Sequence, residues 1–392
     1  MRELVCWGDF MNSLSSKRMD VVGKGICILL FSLAAAAGAS AQSTCAKGCM
    51  PLLGQVAIPP NCQGCYPSFY LTMNPALNLI YVSGGFTSQQ QVSVVDGSTC
   101  PMSANGSCTF SISPLVHIGS AIGVDLKNDN YWAPEVESHD VMIYDGSTNM
   151  QVGTTPITSY CPGEAAFNGK SRIMWVGAQC GPGNDPVFAI DADTFQIVKG
   201  PIPSGGVMST IAVNPTTGRL YVETDVAGVY VSKEVNPKTY LVTTTSFGGT
   251  VYAINPVTNL IYAVYPFGGT DLQIVNGSSE KVLQTIALGY TPTFIADNNA
   301  LHHLYLGNPT TNSIEVRNDT TGMFIPQPSN SSFPLPAGAS FAEGAAVDSV
   351  RGRLYVSLLI GTTYYVYAFE DLSTARSCQV PGTPCGVGVG IR

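Results

Sequence analysis

Charge is scarce in this chain. Only 11% of its 392 residues are Asp, Glu, Lys or Arg, against about a quarter in an ordinary soluble domain. Helical bundles and coiled coils need charged outer faces and few helix breakers. Low charge combined with 41 Gly and 26 Pro excludes those folds. Basic residues are the scarcer sign, 18 against 26 acidic, for a net charge of −8. That balance excludes a phosphate-backbone binder, so no nucleic-acid partner is expected. Recognisable catalytic motifs are missing too: there is no G-x-S-x-G elbow, H-E-x-x-H helix or Walker loop. After residue 41 no run of 18 apolar residues occurs, so no transmembrane segment is expected in the mature chain. A hydrophobic content of 45% excludes global disorder.

What is present begins with an address. Residues 25–41 read GICILLFSLAAAAGASA, preceded by Lys17, Arg18 and Lys24 and closed by Ala39-Ser40-Ala41. Basic flank, apolar centre and small-residue cleavage site together predict a signal peptide over residues 1–41, and hence a secreted, periplasmic or extracellular protein. Ten cysteines follow it: Cys45, Cys49, Cys62, Cys65, Cys100, Cys108, Cys161, Cys180, Cys378 and Cys385. An even count in an exported chain predicts disulfides. Cys100 with Cys108, Cys161 with Cys180 and Cys378 with Cys385 are local pairs, and the first four pair among themselves in an undetermined order. Zinc held by Cys45-x-x-x-Cys49 and Cys62-x-x-Cys65 is the alternative.

A repeat runs through the rest. Asn214-Pro215-Thr216-Thr217-Gly218-Arg219-Leu220-Tyr221-Val222 is matched by Asn255 to Ala263 and by Asn74 to Val82. Weaker copies start at Asp125, Asn168, Asp297 and Asp348. In six copies an aromatic residue follows seven positions after the Asn or Asp, and in the Asp297 copy it follows after eight. The physics of one unit is a short apolar strand, an Asx turn, a second strand carrying the aromatic, a third ending in a turn such as Asp96-Gly97-Ser98-Thr99, and a fourth leading back. Four short strands per unit, repeated seven times, predict a β-propeller. The fourth unit lacks a clear Asp-Gly turn after its third strand.

The Asn-Pro-x-Thr-x-x-Ile/Leu-Tyr-Val segments and the Asp-Gly-Ser-Thr turns at 96–99 and 145–148 resemble the YVTN-repeat β-propeller family over about residues 52–371. The resemblance implies an all-β, seven-bladed propeller of four-stranded antiparallel blades occupying residues 42–374, followed by a Gly/Pro-rich, Cys-containing tail at 375–392. The last unit offers no fourth strand of its own. Residues 52–58 are a lone strand at the other end, expected to complete the last blade and close the ring.

Loops entering the first strand of each blade, and those joining second to third strands, should form one face. That face would carry Glu135, Glu137, His139, Asp140, Glu164, Asp185, Glu223, Asp225, Asp271 and Glu343. Glu164 and Glu343, expected just before first strands and nearest the axis, are the candidate metal or general-base carboxylates, and Glu223 and Asp225 are further channel-mouth candidates. Ca²⁺ held by oxygen ligands is the implied cofactor, against ordinary solvated acids as the alternative. His139 beside Asp140 could act as a general base, although neighbours on a strand point to opposite faces. Two functions remain open at this stage. One is an exported, non-catalytic scaffold binding a protein, glycan or cell-envelope component. The other is a metal-assisted lactonase- or esterase-like hydrolase at the channel mouth, by analogy of fold.

Overall fold

The computed structural model describes residues 50, 52–58, 69–84, 92–99, 112–115, 121–180, 184–265, 269–325 and 332–371. The predicted signal peptide, the tail, and every cysteine except Cys161 and Cys180 lie outside the described residues. Within them the strands form seven four-stranded antiparallel sheets, six of them meanders of consecutive strands. Blade 3 shows the pattern: strands Cys161–Asn168, Ile173–Gln179, Pro186–Asp191 and Ile197–Pro203, here called a to d, pair in chain order. The a strands of the other blades are Phe69–Asn74, Gly123–Asp125, Val207–Val213, Thr250–Asn255, Ile295–Asn298 and Ala339–Asp348. Neighbouring a strands touch all the way round, the first meeting the last. The molecule is therefore an all-β, seven-bladed propeller. In blade 7 the d position is taken by Leu52–Ala57, which pairs with Thr363–Glu370. Leu52 lies opposite Phe369 and Ala57 opposite Tyr365.

Each a–b turn is built by the repeated Asn or Asp. The Oδ1 atom of Asn214 accepts the N–H groups of Thr216 and Thr217 at 2.9 and 3.0 Å. Asn74, Asn168, Asn255 and Asp348 do the same for the second and third residues after them. The residue four positions on is left-handed in every blade: Asn78, Asp129, Arg172, Gly218, Asn259, His302 and Gly352, with φ between 54° and 79°. Gly takes that conformation without a steric penalty, and Asn and Asp more cheaply than other residues. This frame corrects one copy of the repeat. The turn of blade 6 is capped by Asn298, whose Oδ1 accepts the Leu301 N–H at 3.3 Å, and not by Asp297. His302 and Tyr305 then fall four and seven residues on, as in the other blades. The fourth unit does have its c–d turn: Asn236 Oδ1 accepts the N–H groups of Lys238 and Thr239, with Pro237 where blades 1, 2 and 5 have Gly97, Gly146 and Gly277.

The core lies between blades rather than within them. The b-strand aromatics Tyr81, Trp132, Trp175, Tyr221, Tyr262, Tyr305 and Tyr355 are all at most 1% exposed. Each packs into the next blade. Trp132 sits among Met174, Val176 and Ile190 of blade 3, Trp175 against Leu220, Val222 and Val235 of blade 4, and Tyr355 against Leu71, Ile80 and Val95 of blade 1. Gly146 shows how closely the seams fit: a Cβ there would stand 2.4 Å from the Asp129 carbonyl and 2.6 Å from the Tyr81 hydroxyl.

Candidate functional site

At the end of the ring opposite the a–b turns, the a strands begin and the b strands end. In blades 3 and 4 the a strand carries a bulge there, between Pro162 and Glu164 and between Met208 and Thr210. A bulge re-aims the side chains beside it. Glu164 therefore lies inside its strand, not before it, and is 3% exposed. Its Oε2 accepts the Ile211 N–H of blade 4 at 2.8 Å, while Oε1 accepts no hydrogen bond. The Thr210 hydroxyl and the Glu223 carboxylate are its other polar neighbours. Burial pushes the Glu164 carboxyl up to about 7, with Glu223 adding to the rise and the Ile211 N–H and Thr210 opposing it.

Glu223, 6% exposed, lies directly across from Thr210 on one side and Ser232 on the other. Its Oε2 accepts from the Ser209 hydroxyl and its Oε1 from the Thr250 hydroxyl of blade 5, both at 2.6 Å. The row Thr210–Glu223–Ser232 lines a small void together with Ala212 and Tyr221.

The other predicted residues are placed separately. The His139 ring meets the Tyr160 carbonyl through Nδ1 at 2.5 Å, in a residue with φ of 61°. Asp140 opens the c strand of blade 2 opposite Glu135 and Pro156, so the His139 ring is committed to backbone rather than to Asp140. Asp225 Oδ1 accepts the Gly228 N–H at 2.6 Å and closes its own hairpin. Asp185 accepts the Met208 N–H at 2.9 Å. Glu343 falls within Ala339–Asp348, inside the a strand of blade 7 rather than before it, and its side chain lies outside what is described. Cys161 and Cys180 form a disulfide, Cα–Cα 5.4 Å, clasping the a–b hairpin of blade 3 at the Glu164 end. Among the described residues no three His, Cys, Asp or Glu side chains converge as a metal-ligating group. No helix there is long and apolar enough to cross a membrane.

Reasoning from sequence missed the hydroxyls around Glu223 and two clusters at the opposite end. A cavity of about 610 Å³ lies among a-strand residues of blades 1 to 3, including Met73, Val124 and Phe167, with Lys127 and Arg172 also lining it. Arg172 is fully engaged there, paired with both oxygens of Asp125 and with Asp193, each at 2.6 Å. Between blades 5 and 6, Asn255 Nδ2 donates to Asp297 at 3.3 Å and to Asp319 at 2.9 Å. Burial, with Asp319 beside it, pushes the Asp297 carboxyl up to about 7.

A signal for the first cluster was available once the repeats are aligned on the turn residue. Four positions before it the chain reads Tyr70, Ala121, Glu164, Thr210, Val251, Phe294 and Gly344; nine positions after it, Ser83, Pro134, Gly177, Glu223, Val264, Gly307 and Ser357. Each register holds a single acid.

No family model matches the chain, and no curated protein matches it. Among solved structures it is similar to a chain in the crystal structure of a mitotic checkpoint complex. That likeness has a TM-score of 0.62 at 12% identity and covers 89% of this chain and 100% of the other. At that identity it establishes the propeller fold alone.

Proposed function

We propose that this chain is an exported, non-catalytic member of the YVTN-repeat propeller family, and that it binds a protein partner through the Glu164 end of the ring. The observation that carries the reading is an apolar tip at that end. Val226 and Val229 face each other across the β-hairpin of blade 4, with Val207 one strand over. They are 42%, 53% and 60% exposed. Val226 and Val229 exposed on one face of the hairpin tip, with Val207 exposed on the other, suit a contact surface. The similar solved chain belongs to a multiprotein complex, which favours protein over glycan as the partner class. Turnover is less favoured, because Glu164 and Glu223 are closed off from solvent and a general base must reach its substrate.

The test is capture by the purified chain from extracts of its source, with cross-linking to locate the contact. The parent is expected to retain a protein that a Val226→Glu, Val229→Glu double variant loses at unchanged melting temperature. Binding to a glycan panel without protein capture, or hydrolysis of a lactone and ester panel, would overturn the reading.

A further inference from the structure

The cavity of about 610 Å³ lies at the a–b turn end of the ring, away from Glu164. Its walls come from a strands and a–b turns of blades 1 to 3, with Pro215 from the turn of blade 4. Met73, Val124, Leu126 and Phe167 make the lining mainly apolar, and Ala165 and Ala166 add only small side chains. Lys127 and Arg172 are its charged residues, and no described Asp or Glu lines it. A cavity of this size, with apolar walls and a few polar groups, has the character of a small-molecule site.

The repeat shows how the room is made. Directly after the turn residue the seven blades read Pro75, Leu126, Gly169, Pro215, Pro256, Asn299 and Ser349. Leu126, Gly169 and Pro215 of this row line the cavity. Gly169 is the position without a side chain, and its backbone does not require glycine, because its φ is not left-handed. Packing does not require it either: a Cβ there would meet nothing closer than the Phe167 ring at 3.5 Å. A side chain at 169 would fit the turn and take up cavity space. Leu126 is the large aliphatic residue of the row and stays 52% exposed, so hydrocarbon laid against it and Phe167 would withdraw apolar surface from water.

The charged groups set the sign of the ligand. Arg172 is engaged by Asp125 and Asp193 and lies over the Phe167 ring at 5.1 Å. Lys127 stands 3.8 Å from Asp193, beyond hydrogen-bond reach, with its side chain 65% exposed. Such a surface pair is weak, and the ammonium keeps donors for a ligand. We propose that this cavity binds a compact apolar monocarboxylate, its hydrocarbon against Met73, Val124, Leu126 and Phe167 and its carboxylate on the Lys127 ammonium. An amine would meet two cations and no lining acid. The inference concerns the end of the ring opposite the partner surface proposed above and does not depend on it.

The experiment titrates the full chain with three probes that share one hydrocarbon: 4-phenylbutyrate, 4-phenylbutanol and 4-phenylbutylamine, followed by calorimetry and ligand-observed NMR. Non-specific attraction to a chain of net charge −8 favours the amine, so a preference for the acid is diagnostic. The acid should bind at one site, about tenfold tighter than the alcohol, with the amine weakest. Lys127→Gln should reduce the acid to the affinity of the alcohol and leave the alcohol unchanged. Gly169→Trp, which fills the cavity, should weaken both by about tenfold or more at unchanged melting temperature. Should Gly169→Trp melt lower, Gly169→Leu and the exposed Lys127→Gln variant decide. No saturable binding of the acid up to about 5 mM would overturn the site. So would an amine that binds as tightly as the acid, or acid binding that persists unchanged in Lys127→Gln or in the folded residue-169 variant.

Discussion

Asp297 carries a carboxyl at a point where the turn needs none, since Asn298 caps it. Its proton is held to about 7 by burial and by Asp319, as that of Glu164 is by burial and by Glu223. Both groups ionise near 4 in an unfolded chain. Their contribution to stability is fully present below that value, because native and unfolded chains are then both protonated. Between about 4 and 7 the unfolded chain sheds the protons first, so stability falls as pH rises, by up to about 1.4 kcal/mol per unit for each group. Asp193 works the other way. The Arg172 guanidinium holds it down to about 2, and its contribution is lost only as pH falls toward that value. The melting temperature is therefore expected to be highest near pH 4 and to decline toward about pH 7. Asp297→Asn, which can keep a contact with Asn255, should flatten the decline; an unchanged slope in that variant would remove Asp297 from the account. Sequence misplaced this residue for a specific reason. Asp297 and Asn298 are adjacent Asx residues, and only the left-handed residue four positions on separates them. That position reads Asn or Gly in the clear copies, at Asn78, Gly218 and Asn259, but His302 here.

At the scale of the element, the a–b turn and the b-strand aromatic perform different tasks. The turn residue ties blades together as well as capping its own turn: Asn214 Nδ2 donates to Asn259 of blade 5 at 2.8 Å, and Asn168 Nδ2 to the Gly218 carbonyl of blade 4 at 2.9 Å. Asn236 caps a c–d turn with two similar bonds but forms exposed ones. Losing a cap costs about 1 kcal/mol, and leaving buried groups unsatisfied costs more. Urea unfolding should show Asn214→Ala losing about 2–3 kcal/mol and Asn236→Ala about 1 kcal/mol or less. Equal losses would mean that the interblade bond contributes nothing. Trp175 is wholly buried, with its ring edge-on to Tyr240 of blade 4 at 6.1 Å. Trp175→Ala should cost about 3–5 kcal/mol, visible as a large fall in melting temperature, while the partner binding of folded protein is unchanged. The ladder was legible because it repeats once per blade, and repetition identifies packing. Aligning the repeats singles out Glu164 and Glu223 as the one acid in each register, but not that the two meet, because that depends on two bulges and on which strand of blade 4 faces blade 3. Neither is written in the spacing of either residue.

At the scale of the whole molecule, every described apolar cluster that holds a ladder aromatic also holds residues of the next blade, so each blade depends on its neighbours. Blade 7 takes its d strand from the other end of the described chain. Deleting residues 43–59 would uncover the Thr363–Glu370 edge, and aggregation or a large fall in melting temperature is expected. A deletion variant that stays monomeric and melts like the parent would show that the ring holds without this strand. The blade count and this strand could be read from the sequence, since both follow from period and hydrophobic pattern. The disulfide of Cys161 and Cys180 followed from hairpin geometry, but the remaining cysteines lie outside the described residues and leave that part of the reading where it began.

The register of that shared sheet also decides how the molecule would bear a load. Leu52 lies opposite Phe369, so the first and last described strands point their free ends out of the same side of blade 7. Tension applied through the two ends would not shear the pair along its length, with all the ladder bonds resisting together. It would peel Leu52 from Phe369 and then move inward bond by bond toward Ala57 and Tyr365, as a zipper opens. In a pulling experiment the ring should therefore part first at this sheet and at low force, and the six remaining blades should then yield in later steps. Anchored by one end only, the same ring would feel no such load.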